Sequence, residues 1–86
     1  MFAVILSPDA EKNLGKLAKS DRKLFRQVAT ALDMLAENPN LGKALVENLK
    51  GYYSHRVRDY RIVYDIQRES EQVVVLKIQH RKEVYR

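Results

Sequence analysis

The spacing of apolar residues changes once along the chain, from helical to alternating. Residues 2–6, FAVIL, are a short apolar run that stops at Ser7-Pro8, and this predicts a first strand. Ser7 is a helix N-cap residue, Pro8 suits the first helical position, and Asp9 and Glu11 favour the positive end of a helix. Ala10, Leu14, Leu17 and Ala18 then follow at helical spacing. Ser20 predicts a second N-cap, before a stripe of Leu24, Phe25, Val28, Ala31, Leu32 and Leu35 that runs to Asn38-Pro39. A connection this short predicts an antiparallel helical hairpin. Residues 38–48, NPNLGKALVEN, read as a connecting loop with one short turn.

From Leu49 onward, residues 51–58, 60–67 and 72–80 are rich in Val, Ile and Tyr and predict strands. Arg58-Asp59 fits a tight turn, and RESE, residues 68–71, fits a longer hairpin loop. The expected fold is α+β, in one domain over residues 1–86. An N-terminal strand and a two-helix hairpin precede a three-strand antiparallel meander, with the helices on one face of a small sheet.

Alternation assigns the strand residues to faces. Tyr60, Ile62, Tyr64 and Ile66 share one face; Arg61, Val63 and Asp65 share the other. In the last strand the expected helix-facing set is Val74, Leu76 and Ile78, opposite Val73, Val75, Lys77, Gln79 and Arg81. This gathers Arg56, Arg61, Lys77 and Arg81 on the open side of the sheet. Guanidinium groups present planar forks of donors that suit phosphate. The competing reading is that Asp59, Asp65 and Glu83 simply pair with these arginines.

Charge sharpens the first reading. The formal net charge is +5, and its excess is uneven. Residues 1–49 carry seven Lys/Arg against six Asp/Glu, whereas residues 50–86 carry nine against five, so the C-terminal strands are the expected anion-binding part. The absence of cysteine excludes disulfides and thiol chemistry and fits a cytoplasmic location. FAVIL is too short for a signal peptide or a membrane span. Two histidines and scattered acids give no metal-ligand spacing, so neither a metal nor another cofactor is expected.

Residues 41–66, LGKALVENLKGYYSHRVRDYRIVYDI, followed by VVVLKIQHRKEVYR, residues 73–86, resemble the RelE/ParE superfamily of bacterial toxins, and more closely its RelE branch. The resemblance is carried by the Leu49-x-Gly51 step, Arg56, Asp59-Tyr60-Arg61, Tyr64, and the closing His80-Arg81 and Val84-Tyr85. It implies the toxin of a type II toxin–antitoxin pair: a metal-independent endoribonuclease that cuts messenger RNA in the ribosomal A site. The 2′-hydroxyl attacks the adjacent phosphorus and leaves a 2′,3′-cyclic phosphate and a 5′-hydroxyl. The implied partners are a cognate acidic, RelB-like antitoxin, the ribosome and its message, with operator DNA reached only through the antitoxin complex and no membrane.

The resemblance also implies roles. Arg61 and Arg81 match arginines at the scissile phosphate, Arg56 a basic strand position that stabilises charge or transfers a proton, and Tyr85 a tyrosine that stacks on a base or assists proton transfer. Ser54 and Arg56 stand where some relatives carry two lysines. An arginine is a poor general base because it stays protonated, which leaves His80, His55 or Tyr85 for that role. By alternation His80 falls on the helix-facing side. Arg58, His55 and Lys77 are expected to touch RNA, and Arg58 takes a turn position where many relatives have glycine. The alternatives are a ParE-like gyrase inhibitor, or a member that binds its antitoxin without cutting RNA.

Overall fold

The computed structural model describes residues 1–45 and 51–84, with side chains as far as Lys82. Strand β1 (Ala3–Leu6) leads into helix α1 (Pro8–Ser20) and helix α2 (Arg22–Glu37). A 3-10 turn (Pro39–Leu41) and a two-residue strand β2 (Lys43–Ala44) follow. Strands β3 (Tyr53–Val57), β4 (Tyr60–Gln67) and β5 (Gln72–His80) come next, and a single turn, α3 (Arg81–Val84), succeeds them.

Local chemistry sets the helix ends. Ser7 Oγ accepts from Ala10 N–H at 3.0 Å, as an N-cap should. The second cap is Asp21 and not Ser20: Asp21 Oδ1 accepts from Leu24 N–H at 3.1 Å, while Ser20 Oγ donates to Lys16 O at 2.8 Å. Ser20 still belongs to the last turn of α1, where a hydroxyl bonds back along its own helix. Among the described residues no helix is long and apolar enough to cross a membrane.

The three-strand meander β3-β4-β5 is present within a five-stranded mixed sheet of order β1-β5-β4-β3-β2. The first strand joins the meander, pairing in parallel with β5 from Ala3↔Gln72 to Leu6↔Val75. β2, which lies within the expected loop, pairs antiparallel with β3. Both helices pack on one face, α1 against β5 and α2 against β1, β3 and β5. Leu17, Leu24, Val28, Leu32 and Leu35 meet Ile62, Tyr64, Val73, Val75 and Ile78 in the core.

The expected facing of β5 is half wrong, because the strand is bulged. Val63 pairs with Lys77, but Tyr64 pairs with Val75, so Leu76 is an extra residue. Val73, Val75 and Ile78 therefore all face the helices and are 2% exposed or less. α1 satisfies the backbone here: Ser7 Oγ donates to Leu76 O at 2.6 Å, and Asn13 Oδ1 accepts from Ile78 N–H at 3.2 Å.

Tyr64 is the largest fully buried side chain. Its hydroxyl donates to Pro39 O at 2.6 Å and accepts from Gly42 N–H at 3.0 Å. Its ring stacks on Tyr53, with centroids 5.7 Å apart. A Cβ on Gly42 would run into that hydroxyl and come within 2.7 Å of Ser54 O, so only glycine fits. Burial, opposed by the Gly42 hydrogen bond and aided by Tyr53, raises the Tyr64 phenol above its ordinary value of 10.0.

Two stability outcomes follow. Tyr64→Phe should cost about 1–3 kcal/mol in denaturant unfolding, because Pro39 O and Gly42 N–H lose their partner inside the fold. A raised tyrosine pKa means that the stability contribution is complete below pH 10.0. Above that value the unfolded chain ionises first, so the contribution is lost as pH climbs through the folded value. The Phe variant should lack that part of the alkaline decline. Separately, Arg58 has φ 56° in the turn between β3 and β4, a region unfavourable for any residue with a Cβ. Arg58→Gly should raise stability by about 1 kcal/mol, read as a higher denaturant midpoint with an unchanged slope.

Candidate nucleic-acid interface

The hairpin of β3 and β4 builds the site. Val57 pairs with Tyr60, leaving Arg58 and Asp59 as a two-residue turn with positive φ at its first position, as expected for a glycine-like site. In this register Arg56 lies directly opposite Arg61, and Ser54 opposite Val63. Residues directly opposite in a ladder share a face. Arg56 and Arg61 thus stand side by side on the face away from the helices, where like charges repel.

An open groove of about 670 Å³ lies over this pair, and Lys43, Ser54, Asp59 and Arg81 also border it. Arg56 Nε donates to Arg58 O at 2.9 Å, which ties its side chain to the turn. The Arg61 Nε is buried and has no hydrogen-bond partner among the described residues. Arg81 is not the strand residue that alternation assumes. It opens α3, and its backbone N–H donates to Asp59 O at 2.7 Å, which joins the chain end to the β3–β4 turn. Asp65 is occupied by Gln67 Nε2.

The expected residues divide into groups. Arg56, Arg61 and Arg81 converge on the groove. Lys77, opposite Val63, is exposed on the same face but does not border the groove. Arg58 is exposed on the turn beside it. His55 borders the groove, yet it pairs with core residue Ile62, which turns its side chain toward the helices. His80 does not border the groove. It pairs with Tyr60 on the helix-facing side, edge-on to that ring at 5.1 Å, and its Nδ1 accepts from Lys82 N–H at 3.1 Å. That bond leaves Nε2 to carry the proton of a neutral ring. Tyr85 lies outside the described residues, as does the Leu49 of the Leu49-x-Gly51 step.

Lys43 is the basic groove residue that the sequence reading missed, and Leu41 and Tyr60 also line the groove. Lys43 sits in a two-residue strand inside a segment read as loop, too short for alternation to show. The signal available was Gly42, whose missing side chain allows that segment to close on Tyr64. Among the described residues no group of three or more His, Asp or Glu side chains could hold a metal ion.

The arrangement is a cationic groove on one face of a sheet, with a fork of guanidinium groups suited to a phosphodiester. Known proteins share this fold. The family model described as the ParE toxin of the type II toxin–antitoxin system, parDE, matches residues 4–85. Toxin RelG of Mycobacterium tuberculosis is 35% identical over 86 residues, covering 99% of this chain and 97% of that protein. The toxin–antitoxin complex RelBE2 of the same organism contains a chain similar at TM-score 0.82 and 30% identity, covering 92% of this chain and 96% of that one. A chain of the intact Escherichia coli RelBE toxin–antitoxin complex shares the fold at TM-score 0.78 and 21% identity, over 93% and 96%. The chain belongs to the RelE/ParE superfamily and is a type II toxin–antitoxin toxin.

Proposed function

We propose that this toxin is a ribosome-dependent messenger-RNA endonuclease acting in the A site. The observation that carries the reading is the direct pairing of Arg56 with Arg61, joined by Arg81 at one groove. Like charges placed opposite one another destabilise a sheet, and an anion between them converts that cost into binding. The scissile phosphate is that anion. The 2′-oxygen forms a bond to phosphorus as the bond from phosphorus to the 5′-oxygen breaks, so the 2′-proton leaves and the 5′-oxygen gains one. Arg61 and Arg81 stabilise the charge that grows on the phosphorane oxygens, and Arg56 holds the turn side of the same phosphate.

Proton transfer needs another group, because a guanidinium does not deprotonate. The candidates for it are Tyr85, matched by the resemblance, His55, which borders the groove, and His80. The ribosome supplies alignment of the 2′-hydroxyl with phosphorus, and the free protein cuts naked RNA poorly. Lys77 and Arg58 contact flanking backbone. A cognate acidic antitoxin neutralises the toxin by covering the same basic face, in the cytoplasm.

A second reading is gyrase inhibition, favoured by the description of the matching family model as a ParE toxin. Incubating purified toxin with a translating message and mapping stops by primer extension separates the two. Codon-positioned cuts support the nuclease; intact message together with blocked DNA supercoiling supports the gyrase inhibitor. On saturated ribosomes, Arg81→Ala should slow cleavage by roughly 10²-fold or more, while ribosome binding, spread over many contacts, weakens much less. An Arg81→Ala toxin that cuts at the normal rate would remove Arg81 from the reaction.

A further inference from the structure

Lys43 occupies an unusually constrained place for an exposed lysine. β2 is two residues long, and three hydrogen bonds fix it. Gly42 N–H donates to Tyr64 Oη and Tyr64 Oη donates to Pro39 O, before the strand, while Leu45 N–H donates to Tyr52 O at 2.8 Å, after it. The bareness of Gly42 is required for this approach, since a Cβ there would meet both Tyr64 and the backbone of Ser54. The result is a fixed register in which Lys43 lies directly opposite Ser54.

Cross-strand partners share a face, so Lys43 and Ser54 share the face of Arg56 and Arg61 and border the same groove. Two strand spacings, roughly 9–10 Å, separate β2 from β4, and Lys43 is two residues, roughly 7 Å, along the ladder from Arg56. That displacement exceeds the span of one phosphate group. Chemistry separates the two ends as well. Arginine forks at the hairpin suit a phosphate whose geometry must be controlled, whereas an ammonium is a compact point charge that holds a phosphate without fixing its orientation.

We propose that Lys43 binds the RNA phosphate next to the scissile one, so that the groove grips two successive phosphates. The identity of the scissile phosphate rests on the nuclease reading; the contact of Lys43 with a backbone phosphate does not. A contact of this kind is equally strong before and during reaction, so it lowers KM without raising kcat.

The test compares wild type, Lys43→Gln, Lys43→Arg and Arg81→Ala, each checked for an unchanged thermal transition. Binding to a 2′-O-methyl oligoribonucleotide, which lacks the attacking hydroxyl, is measured against salt. Lys43→Gln should lower the slope of log affinity against log salt by about 0.7, and Lys43→Arg should restore it. In message cleavage on ribosomes, Lys43→Gln should raise KM several-fold with kcat within twofold of wild type, in contrast to the kcat loss of Arg81→Ala. An unchanged salt slope in Lys43→Gln, or no oligonucleotide binding by wild type, overturns the inference. A kcat loss in Lys43→Gln as large as that of Arg81→Ala also overturns it, by placing Lys43 at the reacting phosphate. If wild type binds the oligonucleotide but cuts no message, the nuclease reading fails while the slope still decides the Lys43 contact.

Discussion

One inserted residue, Leu76 in β5, decides which side chains of the sheet meet the helices and which meet the groove. A one-residue slip in a strand reverses every side chain beyond it. Here the slip is built in: Val73 and Val75 face the core below the bulge, and Ile78 faces it above. Lys77 and Gln79 are thereby kept on the side of Val63 and Arg61. Without the bulge, a single parity would send either the two valines or Ile78 away from the helices. The arrangement holds because α1 stands in for a neighbouring strand, offering Ser7 Oγ and Asn13 Oδ1 to the backbone of Leu76 and Ile78. Orphaned main-chain groups at a bulge would otherwise be costly.

The other face carries the unfavourable choices. Arg56 faces Arg61, the Arg61 Nε is buried with no acceptor among the described residues, and Arg58 takes a left-handed backbone conformation. Each costs stability, and all three lie within six residues of one hairpin. The opposite face of the same hairpin packs Ile62 and Tyr64 with no exposed surface at all. Glu71, between β4 and β5, shares the left-handed conformation of Arg58 at φ 53°, so it is the paired arginines that single out this hairpin, as the proposed phosphate site requires. Tyr64 joins the two faces: buried among the helices, it holds through Gly42 the edge strand that brings Lys43 to the groove.

Much of this was legible in the residues. The helical stripes of α1 and α2, the Ser7 cap, the hairpin at Arg58-Asp59 and the gathering of Arg56 and Arg61 on the open face follow from periodicity and alternation. What did not follow depends on contacts distant in sequence. The bulge at Leu76 is invisible in a run of VVVLKI, because every residue around it is apolar and either parity reads well. The parallel pairing of β1 with β5 joins segments about seventy residues apart, which local pattern does not encode. β2 is two residues held by a tyrosine twenty-two positions away. Among the site residues, the strand arginines were placed by alternation, but Arg81 opens a helical turn and reaches the groove through its bond to Asp59. Ser20 lost the cap to Asp21 because either side chain suits the role and only the course of the chain selects one.

In the proposed reaction the arginine groove promotes attack by the RNA's own 2′-hydroxyl. The most direct measurement is the chemistry of the ends left on a message cut by the purified toxin on ribosomes, resolved by enzymatic end-labelling and mass spectrometry. Attack by the ribose leaves a 2′,3′-cyclic phosphate on the upstream fragment and a free 5′-hydroxyl on the downstream one. A 5′-phosphate with a 3′-hydroxyl would contradict it, since water and not the ribose would then be the attacking group.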